Sequence, residues 1–206
     1  MTLTASPADI IVGPHGGRRY SEGDGLDLEQ PLVWTVPGVL SPDAGAALIA
    51  RIDGLGFAPA PITTSVGFVM RPDIRNNTRV IFDDAPLAAA LFERVRPHVP
   101  AEMCGGRRPV GANERFRAYR YEPGQRFAPH FDGAYVRDRR EASLLTFMVY
   151  LNEGFGGGET DFLDLASSVV PRTGTALLFQ HGLLHEGCRV TSGVKYVLRT
   201  DVMYRR

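Results

Sequence analysis

The chain of 206 residues carries no net charge, with 23 Lys plus Arg against 23 Asp plus Glu. That balance argues against a globally basic nucleic-acid binder and against an acidic, self-solvating disordered chain. Cysteine is scarce: Cys104 and Cys188 are the only two. Two isolated thiols make no disulfide framework and fit a reducing compartment, and neither has a partner at zinc-site spacing. No apolar run approaches the ~20 residues that span a bilayer. The stretch from Met1 to Gly17 lacks the basic-then-apolar order of a secretion signal. Internal repeats and low-complexity segments are also missing. The expectation is a cytoplasmic protein with no membrane or nucleic-acid partner. Its 44% hydrophobic content and its length suit one domain with a substantial core.

What is present divides the chain in two. Residues 1–30 are rich in Gly, Asp and Pro and predict a flexible N-terminal arm, with His15 a solvated residue in it. Leu32 to Val36 predicts a strand. Ser41-Pro42-Asp43 predicts a helix start, with Ser41 as N-cap and Pro42 at the first helical position, ending at Gly54 or Gly56. Leu87, Leu91, Phe92 and Val95 recur at helical spacing, so a second helix is expected over Pro86 to Val99. His98 near its end is expected to be a surface or capping residue. From Asn113 onward, short strands alternate with turn clusters: Arg115 to Tyr121, Leu144 to Leu151, Glu159 to Leu163, Ala176 to Gln180 and Tyr196 to Tyr204. This pattern predicts a sandwich or barrel. The expected fold is α+β but mainly β: a double-stranded β-helix, or jelly roll, with N-terminal supporting helices. Its single domain would run over 31–206, with helical support over 31–110 and the core over 111–206.

The chemistry concentrates at His130-Phe131-Asp132. If Phe131 lies in a strand, His130 and Asp132 point into one cavity and Phe131 packs behind them. Two imidazoles plus one carboxylate form the facial triad of non-haem Fe(II) sites, with one side of the metal left open. A second imidazole follows in the segment Phe179 to Gly187, which offers both His181 and His185. A wide gap between the Asp and the second His suits a jelly roll, where early and late strands become neighbours only in the fold.

The stretch from Pro37 to Arg206 resembles the Fe(II)/2-oxoglutarate dioxygenase family, in its prolyl 4-hydroxylase-like branch. The motifs run in order: Tyr121 and Gly124, then His130-x-Asp132, then an apolar strand ending in Tyr150-Leu151. The hairpin Gly157-Gly158-Glu159-Thr160-Asp161-Phe162 follows, then Pro171-x-x-Gly174-x-Ala176-Leu177-Leu178-Phe179. Last comes His185-x-Gly187-x-x-Val190-x-x-Gly193-x-Lys195-Tyr196, where the family pattern ends in Trp rather than Tyr. This register selects His185 over His181 as the third ligand. The resemblance implies Fe(II), 2-oxoglutarate and dioxygen, with ascorbate as an optional addition, and hydroxylation of a C–H bond with release of succinate and carbon dioxide. Asp132 at the carboxylate position favours hydroxylation over halogenation.

By the same resemblance the far carboxylate of 2-oxoglutarate meets Lys195. A buried ammonium needs such an anion, which is the physical side of the assignment. Arg199, four residues on and on the same strand face, is a second candidate for that carboxylate, for the substrate, or for pairing with Asp201. Tyr121, with Tyr119 on its face, is a candidate phenol donor, and Thr146 a candidate pocket hydroxyl. Two polar stretches are expected to form loops over the site. One is Met70 to Arg79, where Arg75, Asn76, Asn77 and Arg79 are candidate substrate contacts. The other is Gly133 to Glu141, which carries Tyr135, Arg137, Arg139 and Arg140. The expected substrate is a prolyl or other residue of a protein or peptide. The alternatives are a free amino acid or small natural product under the same chemistry, or a non-catalytic sensor of 2-oxoglutarate and metal. Lys195 and the Gly157–Phe162 hairpin argue against a cupin-like hydrolase or isomerase.

Overall fold

The computed structural model describes residues 10–11, 25–64 and 67–206. His15 and the rest of the arm up to residue 24, apart from Ile10 and Ile11, lie outside them. Residues 25–30, expected as part of the flexible arm, are instead docked. The Leu26 side chain is buried. Gln180 accepts from the Asp27 amide at 2.7 Å and donates to the Asp27 carbonyl at 2.9 Å, and the Asp27 carboxylate accepts from the Cys104 amide at 2.6 Å.

Two antiparallel sheets form the jelly roll. The larger has nine strands. Its spatial order is Ile10–Ile11, Val33–Val36, Ala176–Gln180, Glu141–Tyr150, Lys195–Arg205, Arg115–Tyr121, Thr78–Asp83 and Ala58–Pro59, with Arg108–Ala112 also pairing Lys195–Arg205. The smaller runs Ser167–Val169, Thr160–Phe162, His185–Gly187 and Phe127–His130. Side-chain alternation splits the large sheet into two faces. Phe116, Ala118, Leu145, Phe147, Val149 and Leu198 point to one side, into a core shared with the helices. Tyr119, Tyr121, Met148, Tyr150, Leu177, Phe179 and Val197 point to the other, into a core shared with Phe162, Leu165 and Val169 on and beside the small sheet. The candidate site opens within this second layer.

The helices cover the first face. Helix α1, Pro42–Leu55, starts where Ser41 Oγ accepts from the Ala44 amide at 3.2 Å and stops at Gly56, whose φ of 81° a glycine adopts without strain. Helix α2, Ala85–Val95, is capped by Asp84, whose carboxylate accepts from the Leu87 amide at 2.9 Å. It buries Ala88, Leu91, Phe92 and Val95; each of the larger side chains contributes roughly 1.5–3 kcal/mol. The expected extension to Val99 fails because Pro97 cannot donate to an α-helical ladder, and Arg96–His98 is a 3₁₀ turn. His98 is exposed there, as expected of a surface residue.

The stretch expected as a polar loop, Met70 to Arg79, is irregular through Asn77, and its last two residues open the strand Thr78–Asp83. Gly174, from the Pro171-x-x-Gly174 motif, shows why a glycine stands there: at φ 74°, a Cβ would sit 1.9 Å from the Leu40 carbonyl oxygen. Among the described residues no helix is long and apolar enough to cross a membrane.

Candidate metal centre

Strand pairing closes the long sequence gap between the candidate ligands. His185 is the direct partner of His130 across two antiparallel strands, and Phe162 is the partner of His185 on the other side. The two imidazole rings lie 4.3 Å apart between centroids. The strand bearing His130 ends at that residue, so Phe131 is outside it. Phe131 does not pack behind the ligands, as the alternation argument expected, but is 49% exposed. Asp132 nevertheless turns back toward the imidazoles. Its Oδ1 is 3.8 Å from His130 Nε2 and its Oδ2 is 3.7 Å from His185 Nε2.

The tautomers follow from the backbone. His130 Nδ1 lies 2.8 Å from the Ala128 carbonyl, and His185 Nδ1 lies 3.0 Å from the Leu183 carbonyl. A carbonyl only accepts, so both Nδ1 atoms carry the proton and both Nε2 atoms present lone pairs. Burial keeps the rings neutral, pushing His130 down to about 3 and His185 below its ordinary value. Two nitrogen lone pairs and a carboxylate therefore converge with no proton between them. A metal cation would satisfy that arrangement, and two neutral imidazoles with one carboxylate on one side suit Fe(II). Asp161, Glu186 and Cys188 form a second group of potential ligands. It lacks an imidazole, and none of its members lines the cavity beside the triad.

Asp132 is held at both oxygens. Arg199 Nη1 lies 2.9 Å from Oδ1, and Thr146 donates its hydroxyl to Oδ2 at 2.7 Å. Burial alone would raise this carboxyl, but Arg199, the charged neighbour at neutral pH, brings it well below the usual carboxylate range, with help from Thr146. Because Thr146 donates to Asp132, it accepts from His181 Nδ1 at 2.9 Å. His181 Nε2 must then accept from Ser143 Oγ at 2.8 Å, and Ser143 in turn accepts from the Tyr135 amide at 2.8 Å. A bulge between Ser143 and Leu145 makes this chain possible, since in an unbroken strand Ser143 and Thr146 would face opposite sides. His181 thus supports the triad from behind rather than joining it.

Lys195 lies in a narrow cavity lined also by Tyr121, Met148, Val197 and the triad. It is 2% exposed. Its Nζ donates to the Gly158 carbonyl at 2.6 Å and sits 5.3 Å and 5.5 Å from the Tyr121 and Tyr150 ring centres. Among the described residues no carboxylate pairs with it, and burial pushes it down to about 8. An acidic group entering this cavity would satisfy the buried ammonium, which fits 2-oxoglutarate. Gly158 belongs to the same construction: at φ 73°, a Cβ there would press on Val190, Phe155 and the Lys195 stem. Arg199, committed to Asp132 and Asp201 (3.4 Å), lines the cavity from the metal end.

The remaining candidates separate. Arg75 and Arg79 line a wider chamber outside the triad, together with Arg117, which the sequence reading overlooked. The strand pattern held a signal for it, since Arg117, Tyr119 and Tyr121 share a face at period two. Asn76 and Asn77 do not reach that chamber. Asn76 Oδ1 accepts from the Arg126 amide at 2.8 Å, and Asn77 Oδ1 accepts from Arg75 Nε at 2.8 Å. Tyr135 is also off the cavity walls, its ring 6.0 Å from the Arg137 guanidinium.

Residues 116–200 match the model of the 2OG-Fe(II) oxygenase superfamily. The chain is 29% identical over 146 residues to the "Putative prolyl 4-hydroxylase" of Acanthamoeba polyphaga mimivirus, a match that covers 61% of this chain and 57% of the viral protein. The fold is similar to the collagen prolyl hydroxylase of Paramecium bursaria Chlorella virus-1 solved with 2-oxoglutarate (TM-score 0.60, 22% identity, 86% of this chain and 98% of that one). It is also similar to a Pseudomonas putida prolyl 4-hydroxylase (TM-score 0.61, 22% identity, 87% and 95%). A third similar structure is a Trichoplax adhaerens prolyl hydroxylase bound to a hypoxia inducible factor peptide (TM-score 0.62, 15% identity, 85% and 84%). At such identities the structures show the fold alone. Residues 116–200 thus match a 2OG-Fe(II) oxygenase domain, and the chain is similar to prolyl 4-hydroxylases, spanning little more than half the length of the curated relative.

Proposed function

We propose that this protein is a 2-oxoglutarate-dependent dioxygenase of the 2OG-Fe(II) oxygenase superfamily that hydroxylates an unactivated C–H bond, releasing succinate and carbon dioxide. The expected target is a prolyl or other residue of a protein or peptide. A free amino acid or small natural product is the alternative under the same chemistry. The reading rests on one observation: His130 Nε2, His185 Nε2 and Asp132 converge as three unprotonated donors beside a cavity that ends at Lys195.

These three residues would hold Fe(II), and Lys195 would hold the far carboxylate of 2-oxoglutarate, with Tyr121 beside it. When bound, iron and 2-oxoglutarate supply the activation of dioxygen for insertion into a C–H bond. The chain's own part is arrangement. The Ala128 and Leu183 carbonyls fix which nitrogen of each imidazole is free. Arg199 and Thr146 keep Asp132 ionised and oriented. Met148, Val197 and Phe127 line the cavity and limit water next to the reacting atoms.

The test is succinate release from 2-oxoglutarate under air with Fe(II), screened over peptides, free amino acids and cell extract. Succinate formation by the wild type, stimulated by at least one target, is expected. Lys195→Ala should raise the KM for 2-oxoglutarate by about tenfold or more while leaving Fe(II) affinity within about threefold. No succinate under any condition, or equal effects on both affinities, would overturn the reading.

A further inference from the structure

Outside the triad, away from Lys195, lies a chamber of about 400 Å³, large enough for a small molecule or a side chain. Its charge is one-sided. Four guanidiniums line it, from Arg75, Arg79, Arg117 and Arg199, against one carboxylate, Asp132. Asp201 lies behind, 3.4 Å from Arg199 and 3.7 Å from Arg117. Four positive groups face two negative ones. Adding a dipositive metal and doubly negative 2-oxoglutarate leaves that excess unchanged.

The guanidiniums are incompletely satisfied. Arg75 is 4% exposed and lies between two rings, 4.5 Å from the Tyr119 centre and 4.3 Å from the Phe127 centre. Its Nε donates to Asn77, but its Nη2 is buried without a hydrogen-bond partner, as is Arg117 Nη1. Among the described residues Arg79 has no carboxylate within ion-pair distance; it lies 5.9 Å from the Phe68 ring centre. Burial, then Arg75, Arg117 and Arg199, lower the Arg79 guanidinium below its ordinary value. Burial would raise the Tyr119 phenol, yet Arg199, Arg75 and Arg117 bring it below its ordinary value. Strand pairing assembles the group: Arg79 is opposite Tyr119, and Arg117 is opposite Arg199 on the next strand. Cations packed this closely repel one another, and leaving buried donors unmade is costly. A structural arginine needs a partner, and here the excess charge lies at the chamber, with Arg79 on its wall and no carboxylate in reach.

We propose that this chamber is an anion subsite, and that the substrate presents a carboxylate to Arg75, Arg79 and Arg117 while its C–H bond faces the triad. This rests on the proposed function for the reaction but not for the binding. The shared chemistry is the carboxylate, from the α-carboxyl of a free amino acid or from an acidic side chain in a peptide. An internal prolyl residue flanked only by neutral groups would leave the arginines unmatched.

The test uses full-length protein, metal-free and also loaded with Zn(II) and 2-oxoglutarate so that the Lys195 cavity is filled. Binding is measured calorimetrically with N-acetylglycine and with its uncharged isostere N-acetylglycinamide. Acetyl-Ala-Asp-Ala-amide and acetyl-Ala-Asn-Ala-amide form the peptide pair. At least one carboxylate probe should bind saturably at one equivalent, with its neutral partner at least about tenfold weaker. Whichever carboxylate binds identifies the source. Arg79→Gln, at a half-buried position that neither metal nor 2-oxoglutarate needs, should weaken that binding about tenfold and leave 2-oxoglutarate affinity and the melting temperature unchanged. The inference is overturned if neither carboxylate binds, if the neutral probes bind as well, or if Arg79→Gln and Arg117→Gln both bind like the wild type. Failure to load Zn(II) and 2-oxoglutarate alongside intact carboxylate binding would instead remove the proposed function and leave the subsite.

Discussion

Thr146 Oγ1 donates a hydrogen bond to Asp132 Oδ2 at 2.7 Å, so that the same oxygen can accept from His181. The hydroxyl therefore orients a ligand and satisfies a buried imidazole at once. Thr146→Val keeps the shape and removes both bonds. Loss of one outer hydrogen bond to a ligand typically costs 10–100-fold in metal affinity, so about tenfold weaker Fe(II) binding is expected. The stranded His181 Nδ1–H should lower stability by about 1–3 kcal/mol. Metal titration together with a denaturant melt checks both; an unchanged affinity contradicts the orienting role.

The pH dependence of 2-oxoglutarate use follows from Lys195, which burial pushes down to about 8. The protonated ammonium is the form that binds a carboxylate. Affinity should therefore be constant below pH 8 and fall about tenfold per unit above it, the slope of one lost proton. KM for 2-oxoglutarate measured from pH 6.5 to 9.5 reads this directly. A profile flat through pH 9 would remove Lys195 from the role.

The metal-free protein should be acid-labile. His130 is held neutral to about 3 in the folded state, and burial lowers His181 and His185 in the same direction. An unfolded histidine protonates near 6.5, so between pH 6.5 and about 3 the unfolded chain binds more protons and stability falls as pH falls. Between pH 6.5 and 5, His130 alone contributes a loss of about 2 kcal/mol. Denaturant melts of wild type and His130→Gln across that window check it: the variant should lose less stability with acid than the wild type.

Much of this site was legible before the fold because it is written in local patterns. His130-x-Asp132 was legible as a spacing, and Gly158, Gly174 and Lys195 through the family resemblance; the structure supplies physical reasons for the two glycines in positive-φ backbone packed against Lys195 and Leu40. The helix carrying Leu91 and Phe92 was likewise legible in its period. Other features depended on contacts that no local pattern encodes. Met70 to Arg79 looked too polar for a core, yet Arg75 and Asn77 are buried, because two aromatic rings and a mutual hydrogen bond compensate them. Phe131 was expected inside because alternation was extended one residue past the strand's true end at His130. The supporting role of His181 depends on a bulge at Ser143–Leu145 that the apolar run conceals.

One ferrous ion held jointly by His130, Asp132 and His185 is the centre of the proposed function. Anaerobic addition of Fe(II) and 2-oxoglutarate should produce a weak visible charge-transfer band in the wild type, and His130→Ala and His185→Ala should each abolish it while remaining folded by circular dichroism. A band of undiminished intensity in either folded variant would contradict the assignment.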